Sequence, residues 1–172
     1  KNFRLSNNKQ KISLLKNLGV DFVITKKFDK NFSKTKSVNF IKNILFKKVN
    51  AKFIFVSNNF KFGNKREGNV RLLIQNEKKY NYKVVNPKPF IINKKIVSST
   101  LIRGLLEKGQ LSKANKLLDR VWSIEGTVQK GRQLGKKIGF PTCNIDIKDY
   151  VLAKPGVYAV RVLRNKNKKK LS

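Results

Sequence analysis

The sequence predicts an α/β domain built on a parallel sheet, followed by the start of an all-β domain. Three observations predict this. Apolar strand-like runs alternate with helix-period segments through the first two-thirds of the 172 residues. From Val121 the pattern turns to short strand-like runs with glycine-rich connections. Two short helical segments stand between these phases and set a boundary near residue 119, giving domains 1–118 and 119–172.

The elements follow in order. Ile12, Leu14, Leu15 and Leu18 fall at helical spacing, and Gly19 supplies the stop. Asp21-Phe-Val-Ile-Thr25 reads as a short strand. Ser37 is placed to cap a helix carrying Val38, Ile41, Ile44 and Leu45 on one face. Ala51-Lys-Phe-Ile-Phe-Val-Ser57 is a strand rich in sheet-favouring residues. A polar loop over 58–69 leads to a helix from Val70 to about Lys79 and a strand at Tyr82-Lys-Val-Val85. Past Pro87 and Pro89 come Phe90-Ile-Ile and Ile96-Val97. A hydroxyl residue at 98–100 caps a helix bearing Ile102, Leu105 and Leu106, and a second helix covers Ser112 to Leu118. Short strands are expected at Trp122-Ser-Ile-Glu125, Gly126-Thr-Val128, Cys143 to Ile147, and Gly156 to Leu163.

Composition narrows the function classes. The formal net charge of +32 raises nucleic-acid binding as a possibility. Yet 33 of the 41 basic residues are Lys, spread over the whole length, with 20 Asn and 12 Phe beside them. That profile is coding bias more than a phosphate-reading face, which uses clustered Arg for bidentate contacts. Nucleic acid is therefore not the expected partner. One Cys excludes an internal disulfide framework and suits a reducing, cytoplasmic compartment. No apolar run approaches the ~20 residues of a membrane span. With no Met and a charged last turn, the chain reads as a piece of a longer protein, cut at both ends.

Three segments carry chemistry. In Gly126-Thr-Val-Gln-Lys-Gly-Arg-Gln-Leu-Gly-Lys-Lys-Ile-Gly-Phe-Pro-Thr-Cys-Asn144, four glycines (Gly126, Gly131, Gly135, Gly139) alternate with Lys130, Arg132, Lys136 and Lys137. Glycines let backbone amides approach an anion, and the cations neutralise it. Thr142 and Asn144 place two neutral oxygens on one face of an extended segment. Such oxygens suit Mg²⁺, which keeps several waters and takes further ligands from phosphates. A glycine-rich hairpin without chemistry would use the same glycines. The second segment, Ser98-Ser-Thr-Leu-Ile-Arg103, opens a helix, where hydroxyls, free amides and Arg103 form an anion site; a plain cap beside a solvated Arg is the alternative. The third, Val56-Ser-Asn-Asn-Phe-Lys-Phe-Gly63 with Lys65-Arg66-Glu67-Gly68, follows a central strand, where ligands settle in open α/β sheets.

In this order the three segments resemble the bifunctional bacterial riboflavin kinase/FAD synthetase family. Its Val-Gly-x-(Asp/Asn)-Phe-x-Phe-Gly motif is matched by Val56 to Gly63, with Asn59 at the acidic-or-amide position. Its Ile-Ser-Ser-Thr-x-Ile-Arg motif is matched by Val97 to Arg103. Its Gly-x-Val-x-x-Gly…Gly-(Phe/Tyr)-Pro-Thr-Ala-Asn motif is matched by Gly126 to Asn144, and Gly156-Val-Tyr158 continues it.

The resemblance implies a Rossmann-like nucleotidyltransferase domain for FMN adenylylation, incomplete at its N-terminus, and the start of a riboflavin kinase barrel. It implies ATP, riboflavin and FMN as small-molecule substrates and Mg²⁺ as cofactor. Asn59, Ser98, Ser99, Thr100 and Arg103 would bind ATP for adenylylation. Gly131, Gly135, Gly139, Thr142 and Asn144 would bind it for the kinase, with Thr142 and Asn144 on the metal. There are departures. Ser57 replaces the usual Gly, Leu101 a frequent Arg, and Cys143 an Ala, as a packed thiol. The family's early His-x-Gly-His element would have to precede residue 1, since the chain holds no His. Its kinase carboxylate base would lie downstream, so the 172 residues alone are expected to catalyse neither reaction. The alternatives are a single-activity nucleotidyltransferase with a kinase-like barrel and a basic nucleic-acid-binding module.

Overall fold

The computed structural model describes residues 3–131, 139–140, 142–147 and 149–163. They form two compact units, one of residues 12–97 and one of residues 1–11 with 98–172. Helix α1 (Asn8–Asn17) runs across the division and ends, as its spacing predicts, at Gly19 with φ +83°.

In the first unit, α2 (Lys30–Ser33) is capped by Asp29, whose carboxylate accepts from the Phe32 amide at 2.8 Å. Helix α3 (Ser37–Asn39) passes into a wider π-type helix over Phe40–Phe46, closed by Lys47 N–H to Lys42 C=O at 3.1 Å. Ser37 is not the cap that its position suggested. It is the first helical residue and is buried, and its amide is capped by Glu67 Oε1 at 2.7 Å, thirty residues on. Local sequence cannot announce a cap supplied from such a distance. The wider turn seals Ile41 completely, half-buries Ile44 and Leu45, and leaves Val38 out.

Strand β1 (Phe53–Phe55) pairs in parallel with β4 (Lys83–Val85), in the register Phe53↔Lys83, Ile54↔Val84, Phe55↔Val85. Between them lie β2 (Lys61–Phe62) and β3 (Gly68–Asn69), an antiparallel pair, and helices α4 (Val70–Gln75) and α5 (Glu77–Tyr80). One continuous helix was expected over 70–79. Asn76 divides it, turning its side-chain Nδ2 back to Leu72 C=O at 2.9 Å and leaving helical geometry (φ −99°, ψ 0°). The core gathers Ile41, Ile54, Phe62, Leu73 and Tyr82. A hairpin of β5 (Ile91–Ile92) and β6 (Lys95–Ile96) closes the unit.

In the second unit, α6 (Ser99–Glu107) and α7 (Leu111–Leu118) pack through Ile102, Leu106 and Ala114. Asn7 and Gln10 cap each other at the start of α1, each amide bonded to the other's side chain at 2.8 Å. The buried Gln10 amide also donates to the Ser123 carbonyl at 3.0 Å and accepts from Tyr150 Oη at 2.8 Å. Val151 N–H donates to Arg4 C=O at 2.9 Å, so the first residues are stitched to the segment around Tyr150. Strands β7 (Val128–Gln129) and β8 (Asn144–Ile145) are antiparallel.

Three expected strands form no ladder among the described residues: 21–25, 122–125 and 156–163. Their side chains have sheet propensity, but pairing is a tertiary event that propensity does not supply. Among the described residues the sheets are two-stranded. No helix among them is long and apolar enough to cross a membrane.

Candidate functional site

The first unit builds its site at the carboxyl ends of β1 and β4. Val56 N–H donates to Val85 C=O at 3.0 Å, and Asn86 Nδ2 donates to Val56 C=O at 2.7 Å. The chain then turns, with Phe60 N–H on Ser57 C=O at 3.0 Å and Ser57 Oγ donating to Asn59 Oδ1 at 2.8 Å. Asn59 is thus oriented by its neighbour and open to solvent, at the sheet edge where α/β ligands settle.

Beyond the turn is a phenylalanine-lined cavity of about 280 Å³. Phe28, Phe32, Phe40 and Phe62 form its wall, with Phe32–Phe40 centroids 6.3 Å apart and Phe40–Phe62 centroids 5.5 Å apart. Phe60 stacks on Phe62 at 5.5 Å, and Lys26 Nζ sits 5.8 Å from the Phe32 ring centre. Ser33 and Thr35 add hydroxyls, and Lys61 and Arg66 add cations. The volume is near the lower end of ligand sites, about 300 Å³, enough for one planar heterocycle.

Gly63 lies on the cavity lining. Its φ is +77°, and a Cβ there would lie 2.7 Å from Ser37 Cα and N. Gly68 makes a similar approach to the Phe62 ring and Ser37 Cβ, each 2.8 Å from a built Cβ. The Phe-x-Phe-Gly run therefore has a packing reason for its final residue. Sequence reading singled out Asn59 and this loop. It missed Phe28, Phe32 and Phe40, for which the only local signals are the i, i+4 spacing of the first two and the excess of Phe.

Tyr82, under the same unit, donates its hydroxyl to Leu73 C=O at 2.7 Å. Burial raises its pKa to about 12, with Glu77 and Tyr80 adding to the rise.

In the second unit, Ser98 is the cap of α6, its Oγ accepting from Leu101 N–H at 3.2 Å. Ser99 and Thr100 stand exposed in the first turn. Arg103 is one turn on, with Nε donating to Phe3 C=O at 2.6 Å. The four residues thus share one helix start. Ser98 and Arg103 each spend one group on the protein itself.

The glycine-rich segment joins β7 to β8, with Val128 opposite Ile145 and Gln129 opposite Asn144. Gly131 lies so close to Asn144 Nδ2 that a side chain there would collide with it, and Gly126 crowds Ile145 likewise. Gly139 has φ +84° with open space around it. Thr142 and Asn144 are exposed, two residues apart, with Asn144 opening β8. Their hydroxyl and amide oxygens fit a cation that keeps waters and takes phosphate oxygens; among the described residues no cluster of three His, Cys, Asp or Glu offers a full protein cage. Cys143, expected as a packed thiol, is exposed just before β8. Gly135, with Arg132, Lys136, Lys137 and Pro141, lies outside the described residues.

Residues 1–101 match the FAD synthetase family, and residues 118–171 match the riboflavin kinase family. The chain belongs to the FAD synthetase family, with a riboflavin kinase segment following in the same polypeptide. A bifunctional riboflavin kinase/FMN adenylyltransferase of Buchnera aphidicola (subsp. Schizaphis graminum) is 40% identical over 96% of this chain and 54% of the relative. The protein of that name from Escherichia coli K12 is 36% identical over 93% and 51%, and that from Haemophilus influenzae 38% over 92% and 52%. The chain spans about half the length of the curated relatives it matches. A solved structure titled a macrolide-efflux protein, from Streptococcus pneumoniae, shares the fold with TM-score 0.71 and 27% identity, over 90% of this chain and 49% of that one.

Proposed function

We propose that this chain forms part of a bifunctional, cytoplasmic enzyme that phosphorylates riboflavin to FMN with ATP and adenylylates FMN to FAD. The observation that carries the reading is the phenylalanine-lined cavity of Phe28, Phe32, Phe40 and Phe62, within the span that matches FAD synthetase. A flat, apolar heterocycle fits that wall, and a phosphate fits its two cations.

Domains 1–118 and 119–172 serve the two reactions, the first as a Rossmann-like nucleotidyltransferase and the second as the start of a kinase barrel. In the first, an FMN phosphate oxygen attacks the α-phosphorus of ATP. A new P–O–P link forms, the bond to the β-phosphate breaks, and pyrophosphate leaves. Asn59 orients the reacting nucleotide, while the α6 start (Ser98, Ser99, Thr100, Arg103) grips ATP phosphates with hydroxyls, amides and a guanidinium. In the second, the riboflavin 5′-hydroxyl oxygen attacks the γ-phosphorus, ADP leaves, and the hydroxyl proton passes to a base. Gly131, Gly135 and Gly139 would let backbone amides approach the phosphates, and Thr142 and Asn144 would hold Mg²⁺. Bound there, Mg²⁺ would supply neutralisation of phosphate charge. Both steps rely on positioning and charge stabilisation.

The test is product analysis on the full-length enzyme, with FMN and FAD separated by chromatography. Asn59→Ala lowers FAD formation from FMN and leaves FMN formation from riboflavin intact. Loss of FMN formation with FAD formation spared would overturn the assignment.

A further inference from the structure

We propose that residues 149–154, inside the span that matches riboflavin kinase, position helix α6 for the adenylylation of FMN. Tyr150 and the Lys154 amide are the positioning groups, and they act on ATP through Arg103. The inference rests on the ATP reading of the α6 start given above.

The family spans and the compact units divide the chain differently. Residues 1–11 and 98–101 fall in the FAD synthetase span, yet they belong to the unit that holds residues 118–171. Helix α6 lies in that unit. Its apolar contact with α7 through Ile102, Leu106 and Ala114 is non-directional. Such contact keeps α6 in place but does not aim a guanidinium fork. Hydrogen bonds, which are directional, do.

Two anchors supply them, and both run to residues 149–154. One turn into α6, Arg103 Nε donates to Phe3 C=O at 2.6 Å. Phe3 and Arg4 N–H donate in turn to Asp149 C=O at 3.4 and 2.9 Å, and Val151 N–H donates to Arg4 C=O at 2.9 Å. The Arg4–Asp149 side-chain pair is long, at 3.7 Å, and exposed, so it adds little. Tyr150 adds more. It is 3% exposed, and its hydroxyl donates to Gln10 Oε1 at 2.8 Å and accepts from Glu125 N–H at 3.1 Å. Those bonds pin residues 149–151 against the chain that carries Phe3.

The second anchor is at the other end of α6, where Lys154 N–H donates to Leu106 C=O at 3.0 Å. Gly109, at φ +73°, lets this segment lie close, since a Cβ there would stand 3.3 Å from Lys154 Cβ. Tyr158 Oη donates to Lys154 C=O, which gives the tyrosine of Gly156-Val-Tyr158 a part in the same anchor. None of these groups needs to touch a substrate. Their effect is on where the Arg103 fork stands, and a misplacement of about 1 Å can cost up to about a hundredfold.

The experiment measures FAD formation from FMN by the full-length enzyme at varied ATP, with circular dichroism confirming that each variant folds. Tyr150→Phe raises the KM for ATP about threefold or more and leaves kcat within about twofold, the pattern of lost binding rather than of lost fold. Lys154→Pro removes the amide donor and raises the KM likewise, while Lys154→Ala keeps the donor and leaves the KM within about twofold. In an Arg103→Ala background, Tyr150→Phe changes the KM no further, because the path ends at Arg103. Should Lys154→Pro fail to fold, Tyr150→Phe and its double variant decide alone. If Tyr150→Phe raises the KM equally in both backgrounds, or lowers kcat alone, the positioning role falls. It falls also if Arg103→Ala raises the KM and Tyr150→Phe does not, and the ATP reading then stands. If Arg103→Ala itself leaves the KM unchanged, the ATP reading of α6 falls first and the proposal with it.

Discussion

Gly63 approaches Ser37 so closely that a Cβ on the glycine would stand 2.7 Å from the Ser37 backbone nitrogen and Cα. Backbone atoms at a helix start cannot swing aside as the end of a side chain can. Gly63→Ala must therefore displace the α3 start and also hold an alanine at φ +77°. The left-handed conformation costs about 1–2 kcal/mol, and overpacking adds about 1–3 kcal/mol. Gly19→Ala meets the same conformational cost at φ +83° but has nothing within 4 Å. Urea denaturation should show Gly63→Ala as clearly the more damaging change. Equal midpoints for the two variants would mean that the Ser37 contact has no energetic weight.

Gly104 predicts the opposite sign. It lies inside α6 with ordinary backbone geometry, and a Cβ there meets nothing within 4 Å. Glycine in a helix interior costs about 0.5–1 kcal/mol relative to alanine. Gly104→Ala should raise the unfolding free energy by that amount and so raise the denaturation midpoint. A lower midpoint would show that the open side of α6 is covered by something that the added methyl disturbs.

Tyr82 predicts a pH dependence for the first unit. Burial and the Glu77 carboxylate hold its phenol protonated up to about pH 12 in the folded state, against an ordinary value near 10. The unfolded chain thus releases this proton first. Stability from the group is complete below about pH 10 and is lost as pH rises from there toward 12. The two-unit difference corresponds to about 2–3 kcal/mol by pH 12. Tyr82→Phe loses the bond to Leu73 C=O, about 1 kcal/mol at neutral pH, and lacks the alkaline fall. Parallel stability curves for wild type and variant between pH 9 and 12 would remove Tyr82 as the cause.

Thr142 separates the two activities. Valine keeps the shape of threonine and removes the hydroxyl, and position 142 is exposed, so folding should survive. In the full-length enzyme, Thr142→Val should reduce riboflavin phosphorylation by about a hundredfold or more and leave FMN adenylylation within about twofold, a loss of the size seen when one charge-stabilising group is removed. Unchanged kinase turnover would return the glycine-rich segment to a hairpin without chemistry.

The fold was legible wherever the signal is local. Ser98 caps α6 and Gly19 ends α1, because a cap and a left-handed stop need only their neighbours. The parallel pairing of β1 with β4 followed from the alternation of strands and helices. What could not be read depends on distant partners. Glu67 capping Ser37 spans thirty residues, and the phenylalanine wall draws Phe28 and Phe32 beside Phe62. Gln10, between Lys9 and Lys11 in the polar first turn of α1, is buried because Ser123 and Tyr150 satisfy it from more than a hundred residues away. The motif glycines stood out in the sequence, and their reason, close approach to Ser37 and to Asn144, needed coordinates.

Arg103 offers a test in which structure and chemistry can be told apart. Its Nε is engaged by Phe3 C=O at 2.6 Å, which ties the first residues to α6 and leaves the terminal amino groups of the fork for an anion. Arg103→Ala removes both roles and Arg103→Lys restores a charge without the planar fork. If the fork binds ATP, the alanine variant of the full-length enzyme should raise the KM for ATP in FAD formation about tenfold or more, spare FMN formation, and recover partly with lysine. The Phe3 bond would contribute separately, as a loss of about 1–2 kcal/mol in stability in both variants. A stability loss with an unchanged KM for ATP would leave Arg103 as a tether, and the anion site at the α6 start would then rest on Ser99 and Thr100 alone.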